Sequence, residues 1–229
     1  MTAYSKLRAI FSLAICAIVH NCNTAVSDEQ SRGCQLLLAC HDLDPERVVV
    51  ALREGANVDF RLDAIGIRNK QIQERFLELG YTPLLTFVRS RRFVHPSNGT
   101  INSDGSDSNR SRDLEMTIFW ILLSNKCDID LKDLRGASAL YYAIENRNVE
   151  VAKILLRLGA DVNFHVQAVL DGTGGRTPLH AAYWSDELYK LLVASSADVN
   201  AVDAEGVSAS QLRQEHLRIV DDPFSSKNR

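Results

Sequence analysis

Apolar residues along most of the chain recur every three or four positions, in pairs of short segments separated by polar turns. The clearest pair lies within residues 141–163. Ala143 and Ile144 fall on one face of a first short helix, and the apolar positions of 149–156 form the face of a second. Residues 37–59 have the same layout. The pattern therefore predicts a series of paired amphipathic helices without a central sheet.

Each pair ends in a similar short motif: a small residue, Asp or Asn, an aliphatic residue, and Asp or Asn again. The four segments are EGANVD at 54–59, NKCDID at 125–130, LGADVN at 158–163 and SSADVN at 195–200. Cys127 and Ala160, at matching positions, are 33 residues apart, and the intervening sequence aligns without a gap. A fixed period of this length indicates a repeat protein, in which a helix pair buries its apolar face only against its neighbours.

Turn and cap residues mark where each unit begins and ends. Thr-Pro occurs at 177–178 and again at 82–83. Thr suits a helix N-cap, and Pro suits the first helical turn, where no backbone donor is lost. Gly159 suits the left-handed residue that ends a helix. Asp and Gly at the ends of 133–136 and 203–206 suit tight reversals between units.

These motifs resemble the ankyrin repeat family. The residues that carry the resemblance are Thr-Pro-Leu-His at 177–180, Gly-Ala-Asp-Val-Asn at 159–163 and Asp-Leu-Arg-Gly at 133–136. The resemblance implies an all-α solenoid of about four helix-turn-helix repeats plus a C-terminal cap. The predicted domain covers residues 34–220, with repeats at about 34–60, 80–130, 136–163 and 175–200 and the cap at 206–220.

Two insertions interrupt the predicted repeats. Residues 61–79 lengthen the turn after the first repeat. Residues 92–112 separate the two helices of the second repeat, and their Ser, Asn, Asp and Gly content predicts a solvated loop. The fourth repeat is two residues short between its helices, and residues 221–229 are predicted to be a C-terminal tail.

The N-terminal residues 1–25 differ from the rest of the chain. Lys6 and Arg8 precede an eleven-residue apolar run at 9–19, and a polar stretch follows. This order predicts a secretory signal peptide, and hence an exported protein that is secreted or periplasmic. If these residues are instead a buried helix, the protein is expected in the cytoplasm. The run is shorter than the roughly 20 apolar residues of a membrane span.

Composition narrows the classes of partner. The chain has 229 residues and a net charge of −3, from 26 Lys and Arg against 29 Asp and Glu. This balance argues against a nucleic-acid partner, which requires a concentrated basic surface. Five Cys and six His form no recognisable disulfide or metal framework, so no cofactor is expected. A monomer without a membrane span is predicted.

His180 is the residue most suggestive of chemistry, because Trp184 and Asp186 lie close to it in the sequence. The family resemblance implies that its ring forms hydrogen bonds that hold neighbouring turns. A catalytic or metal-binding histidine needs a second positioned group, and the sequence has no His-x-x-x-His motif or Cys/His cluster. The glycine-rich stretch 171–177 lacks the Gly-Lys-Ser/Thr of a phosphate loop. No catalytic or metal-binding residue is therefore predicted.

The resemblance implies a concave protein-binding side, lined by first helices and by the turns between repeats. Trp184, a large aromatic at a normally exposed position, is either a binding anchor or a filler where the turn is short. Matching positions that are candidates for contact with an unknown protein partner are His41, Asp42, Arg89, Ser90, Leu134, Arg135, Glu145, Asn146, Trp184, Ser185, Ala204 and Glu205.

The predicted function is therefore a non-catalytic, exported protein that mediates protein–protein interaction through its concave side. One alternative is an exported structural accessory that stabilises a single partner. Another is an enzyme whose site is built from the inserted loops. Fold alone does not separate these functions.

Overall fold

A computed structural model describes residues 28–61, 80–90, 107–167 and 174–221 of the chain. The predicted signal peptide 1–25, most of both predicted insertions and nearly all of the predicted tail lie outside these residues. The chain divides into two compact units, unit 1 ending at Asp128 and unit 2 beginning at Ile129.

Unit 1 contains four described helices: α1 (Asp28–Asp42), α2 (Pro45–Arg53), α3 (Pro83–Ser90) and α4 (Asp107–Ser124). Helices α1 and α2 form the first predicted repeat, and α3 and α4 form the second. The core of the unit is aliphatic and aromatic, with Leu36, Leu84 and Leu85 fully buried. Phe87 and Phe119 stack at a ring-centroid distance of 5.9 Å, which joins α3 to α4.

Two helices of unit 1 begin earlier than the sequence predicts. Helix α1 begins at Asp28, where two acidic residues in the first turn favour a helix N-terminus. Helix α4 begins at Asp107 and takes in the last six residues of the stretch 92–112 that composition predicts to be a loop. Helix propagation adds one hydrogen bond per residue. A helix anchored in the core can therefore extend into polar sequence that carries no hydrophobic signal, and residues 107–112 are helical.

Unit 2 continues the helix pairs. Its elements are α5 (Ala139–Glu145), α6 (Val149–Arg157), α7 (Pro178–Ala181), a 3-10 turn (Ala182–Trp184), α8 (Asp186–Ala194) and α9 (Ala209–Asp221). Leu140, Ile144, Leu155, Leu179 and Leu188 are fully buried in its core. The 3-10 turn lies where the sequence of the fourth repeat is two residues short. Helix α9 occupies the segment that the sequence predicts to be the cap.

The described residues contain helices and two isolated antiparallel bridges, Val166–Arg176 and Val202–Ser208, but no strand. This confirms the predicted all-α fold. No helix among the described residues has the length and apolar character needed to cross a bilayer.

The second helix of three pairs has a side-chain N-cap. Asp44, Asn148 and Ser185 each accept a hydrogen bond from the backbone N–H three residues later, at 3.1, 3.1 and 3.3 Å. Each bond satisfies a donor that the helix itself leaves free. The caps fix where α2, α6 and α8 begin, and so they fix the turns that precede these helices.

Candidate protein-binding surface

The motif that ends each of the first three repeats links that repeat to the next. In unit 2 the Asn163 carboxamide oxygen accepts from the backbone N–H of Asp198 at 2.8 Å. Asp130 accepts in the same way from the N–H of Asp161, also at 2.8 Å. In unit 1 the carboxylate of Asp59 accepts from a backbone N–H 69 residues later. These Asp and Asn residues therefore have structural roles, which explains why the sequence repeats them.

The turns before α5 and α9 are built alike. The Asp133 carboxylate accepts from the backbone N–H groups of Arg135 and Ala137, both at 2.9 Å. Asp203 accepts from the corresponding groups at 3.0 and 2.9 Å. Both carboxylates lie inside their turns, which leaves the turn tips for other contacts. Leu134, at the first tip, is 56% exposed despite its apolar side chain.

Arg135 is held against the helix that follows its turn. Its guanidinium donates to the Tyr142 hydroxyl, and that hydroxyl donates to the Asp133 carboxylate. Burial acts to lower the pKa of Arg135, but Tyr142, Asp133 and Glu145 outweigh it and raise the pKa above its ordinary value. The Arg135 charge is thus satisfied within unit 2, while Glu145 lies close enough to influence it.

His180 joins α7 to the turn before α9. Its Nδ1 accepts from the backbone N–H of Thr177 at 3.2 Å and lies 2.8 Å from the Thr177 hydroxyl. Its Nε2 lies 3.0 Å from the Val207 carbonyl oxygen, so this nitrogen carries the proton and donates. Both nitrogens are therefore engaged in the neutral ring, as expected of a histidine that holds neighbouring turns.

Trp184 ends the 3-10 turn and is partly buried. The guanidinium carbon of Arg147 lies 5.0 Å from the centre of its ring, which is a cation–π contact. The neighbouring candidate Ser185 is the N-cap of α8, so its hydroxyl has a structural role. Glu145 is exposed and Asn146 is partly buried. At the first-helix ends of unit 2, Glu145 is therefore the exposed candidate, and Trp184 offers a partly accessible aromatic ring.

The candidates of unit 1 differ in accessibility. The side chain of His41 is only 10% exposed, and its Nδ1 lies 3.2 Å from the Asp42 carboxylate. Asp42 also pairs with Arg47 at 3.0 Å. Arg89 is exposed, and its guanidinium carbon lies 4.7 Å from the centre of the Tyr81 ring. The side chain of Ser90 lies outside the described residues.

The second helices of unit 1 carry exposed apolar residues that the sequence pattern does not predict. Val50 on α2 is 50% exposed and Trp120 on α4 is 51% exposed. A shallow groove beside Val50 is lined by Pro45, Glu46, Val49, Val50, Arg53, Thr117 and Ile121. The sequence of α4 is apolar on more than one face, so its periodicity does not identify the face that packs in the core. In the sequence, Trp120 stands out only as the second tryptophan, and it does not fall on a predicted contact position.

The cysteines described by the structure, Cys34, Cys40 and Cys127, are buried thiols. Burial, with the nearby carboxylates of Asp59 and Asp128, raises the pKa of Cys127 to about 12. Burial also raises the pKa of Cys40. These thiols pack as small apolar groups. No cluster of His, Cys, Asp or Glu within the described ranges has the membership to hold a metal ion.

Comparison with known proteins identifies the repeats. Residues 110–203 match a model of ankyrin repeats in three copies. This part of the chain therefore carries ankyrin repeats. Ankyrin-repeat proteins generally mediate protein–protein interaction and are typically non-catalytic.

Two curated relatives carry similar ankyrin repeats. The chain is 42% identical over 79 residues to the BTB/POZ domain and ankyrin repeat-containing protein BOP of Lupinus luteus, a match covering 33% of this chain and 15% of that protein. It is 43% identical over 75 residues to Rabankyrin-5 of Homo sapiens, which covers 29% of this chain and 6% of that protein. The chain thus spans only a small part of the length of these relatives.

Proposed function

We propose that the chain is a non-catalytic protein-binding module and that unit 2 provides the main contact. The contact surface, here called the tip surface, consists of Leu134, Glu145, Trp184 and Glu205. These residues lie at the turn tips and at the first-helix ends. The observation that carries the proposal is Trp184, a partly accessible aromatic ring at the end of a first helix rather than in the core.

The tip surface has the features of a binding anchor. Trp is among the residues that contribute most to interface affinity, because it removes a large apolar area from water on binding. Asp133 and Asp203 hold the tips in one conformation through backbone hydrogen bonds. A preorganised surface loses little conformational entropy when a partner binds. An exposed Leu134 and a partly exposed Trp184 on the same unit therefore favour protein recognition.

The non-catalytic part of the proposal rests on how buried polar groups are used. His180 holds a turn through both ring nitrogens. Asp133 and Asp203 organise turns, and Asn148 caps a helix. Each of these groups already has a structural partner, which supports a binding role over acid–base or nucleophilic chemistry.

The chain's two tryptophans provide a matched test. Affinity capture with the full chain should recover a stoichiometric protein partner from the native source. We expect Trp184→Ala to weaken binding of that partner by about 2 kcal/mol or more, the scale of an interface hot spot. Trp120→Ala, which truncates an exposed Trp of unit 1, should leave binding nearly unchanged. The reverse result would assign the contact to the patch on α2 and α4 and contradict the proposal.

A further inference from the structure

The cations beside the tip surface already have partners within unit 2. Arg135 is bound by Tyr142 and Asp133. The Nε of Arg176 lies 3.9 Å from the Asp203 carboxylate. Arg147 lies over the ring of Trp184. Asp133 and Asp203 therefore compensate the charges of Arg135 and Arg176, whereas the exposed Arg147 lies on a neutral ring and keeps its charge.

The carboxylates of the tip surface are in the opposite situation. Glu145 and Glu205 are both exposed. In the part of the chain that the structure describes, neither carboxylate forms an ion pair. The aspartates nearby, Asp133 and Asp203, point into their own turns. Among the residues described, the tip surface therefore has two exposed carboxylates against one unpaired cation, Arg147, and its net charge is negative.

The apolar members of the tip surface are linked to these glutamates through the same elements. Leu134 precedes Arg135, which bonds to Tyr142 on the helix that ends at Glu145. Trp184 is covered on one side by Arg147, two residues after Glu145. The turn that carries Glu205 is bound to α7 through His180 and Val207. These contacts thus join the elements that carry the apolar and the acidic groups.

We propose that the partner presents a basic protein segment, with Lys or Arg side chains next to an apolar residue, to the tip surface. This inference rests on the proposed function and adds the chemistry of the partner. The apolar residue packs on Leu134 and Trp184, and the basic side chains pair with Glu145 and Glu205. Complementary charge of this kind speeds association and selects among partners, and salt screens it.

The probe is a phage-displayed library of short random peptides, selected on the full chain. We expect the selected peptides to carry net positive charge and at least one apolar residue. The variant E145Q/E205Q should weaken a selected peptide by about tenfold or more, and raising the salt concentration should weaken its binding to the wild type. The control E54Q/E150Q removes two other exposed glutamates and should leave the affinity within about twofold.

The outcomes separate this inference from the proposed function. Suppose that the selected peptides lose affinity with Trp184→Ala but are neutral or acidic, or that they bind E145Q/E205Q normally. Either result overturns the inference of a basic partner and leaves the proposed binding surface standing. An equal loss of affinity in E145Q/E205Q and E54Q/E150Q indicates attraction to the acidic chain as a whole. This result also overturns the inference of a basic partner at the tip surface. If no selected peptide depends on Trp184, both the basic partner and the proposed surface are contradicted.

Discussion

At the residue scale, His180 shows how a conspicuous polar residue becomes structural. Only the neutral ring with its proton on Nε2 satisfies both Thr177 and Val207, since a proton on Nδ1 would face the donor of Thr177. Burial lowers the pKa of His180, and Arg176 and His165 act in the same direction. The Val207 carbonyl and Asp203 oppose the shift without reversing it.

This shift predicts a pH dependence of stability. Because the folded pKa of His180 lies below its unfolded value of 6.5, the unfolded chain takes up the proton first as pH falls. The contribution of the neutral His180 ring to the free energy of unfolding is complete above the unfolded pKa and is lost as pH falls toward the folded pKa. Urea unfolding of the wild type at about pH 7.5 and about pH 5.5 should show this loss. His180→Ala should be less stable by roughly 1–3 kcal/mol at the higher pH, with a smaller difference between the two pH values.

The control for that measurement is His165→Ala, which removes an exposed histidine of the same unit. Because His165 contributes the least among the groups that shift the pKa of His180, this variant should keep most of the pH dependence of the wild type. An unchanged pH dependence in His180→Ala would mean that the ring is not held neutral by its two turns.

At the scale of elements, the sequence was most informative where local chemistry decides the structure. Thr177 caps α7 as its Thr-Pro motif predicts, and the helix pairs follow the apolar period. The early start of α4 at Asp107 was missed, because a polar helical turn looks the same as a polar loop in composition. The cap role of Ser185 was also missed, since it depends on how the shortened fourth repeat closes.

The N-caps give a prediction at this scale. Asn148 is buried and caps α6, so Asn148→Ala should lower the free energy of unfolding by about 0.5–2 kcal/mol. Glu150→Ala, on the exposed side of the same helix, should change it by no more than about 0.5 kcal/mol. Chemical denaturation of both variants measures the difference. Equal effects would show that the cap does not determine where α6 begins.

At the scale of the whole molecule, the repeat period predicts which positions recur but not how each is used. Leu134, Glu145, Trp184 and Glu205 were identified from their repeat positions alone. The Arg147 contact with Trp184 and the exposure of Trp120 depend on which side chains meet after folding. Such packing between helices leaves no local pattern in the sequence. Only the structure therefore shows which charged side chains are accessible and which are paired.

Export remains a prediction that belongs to the whole chain. The basic start and apolar run of residues 1–25 predict cleavage during secretion. N-terminal sequencing of the protein from its natural host should give a chain that begins after about residue 25. A chain that begins at Met1 or Thr2 would contradict export by this route.

The most direct test of the central claim is hydrogen–deuterium exchange of the full chain, with and without its captured partner. We expect partner-dependent protection of backbone amides in 133–147 and 184–207, which carry the tip surface. The amides of 45–53 and 114–124, beside the apolar patch of unit 1, should exchange at unchanged rates. Protection confined to 45–53 and 114–124, with none at the tip surface, would contradict the account.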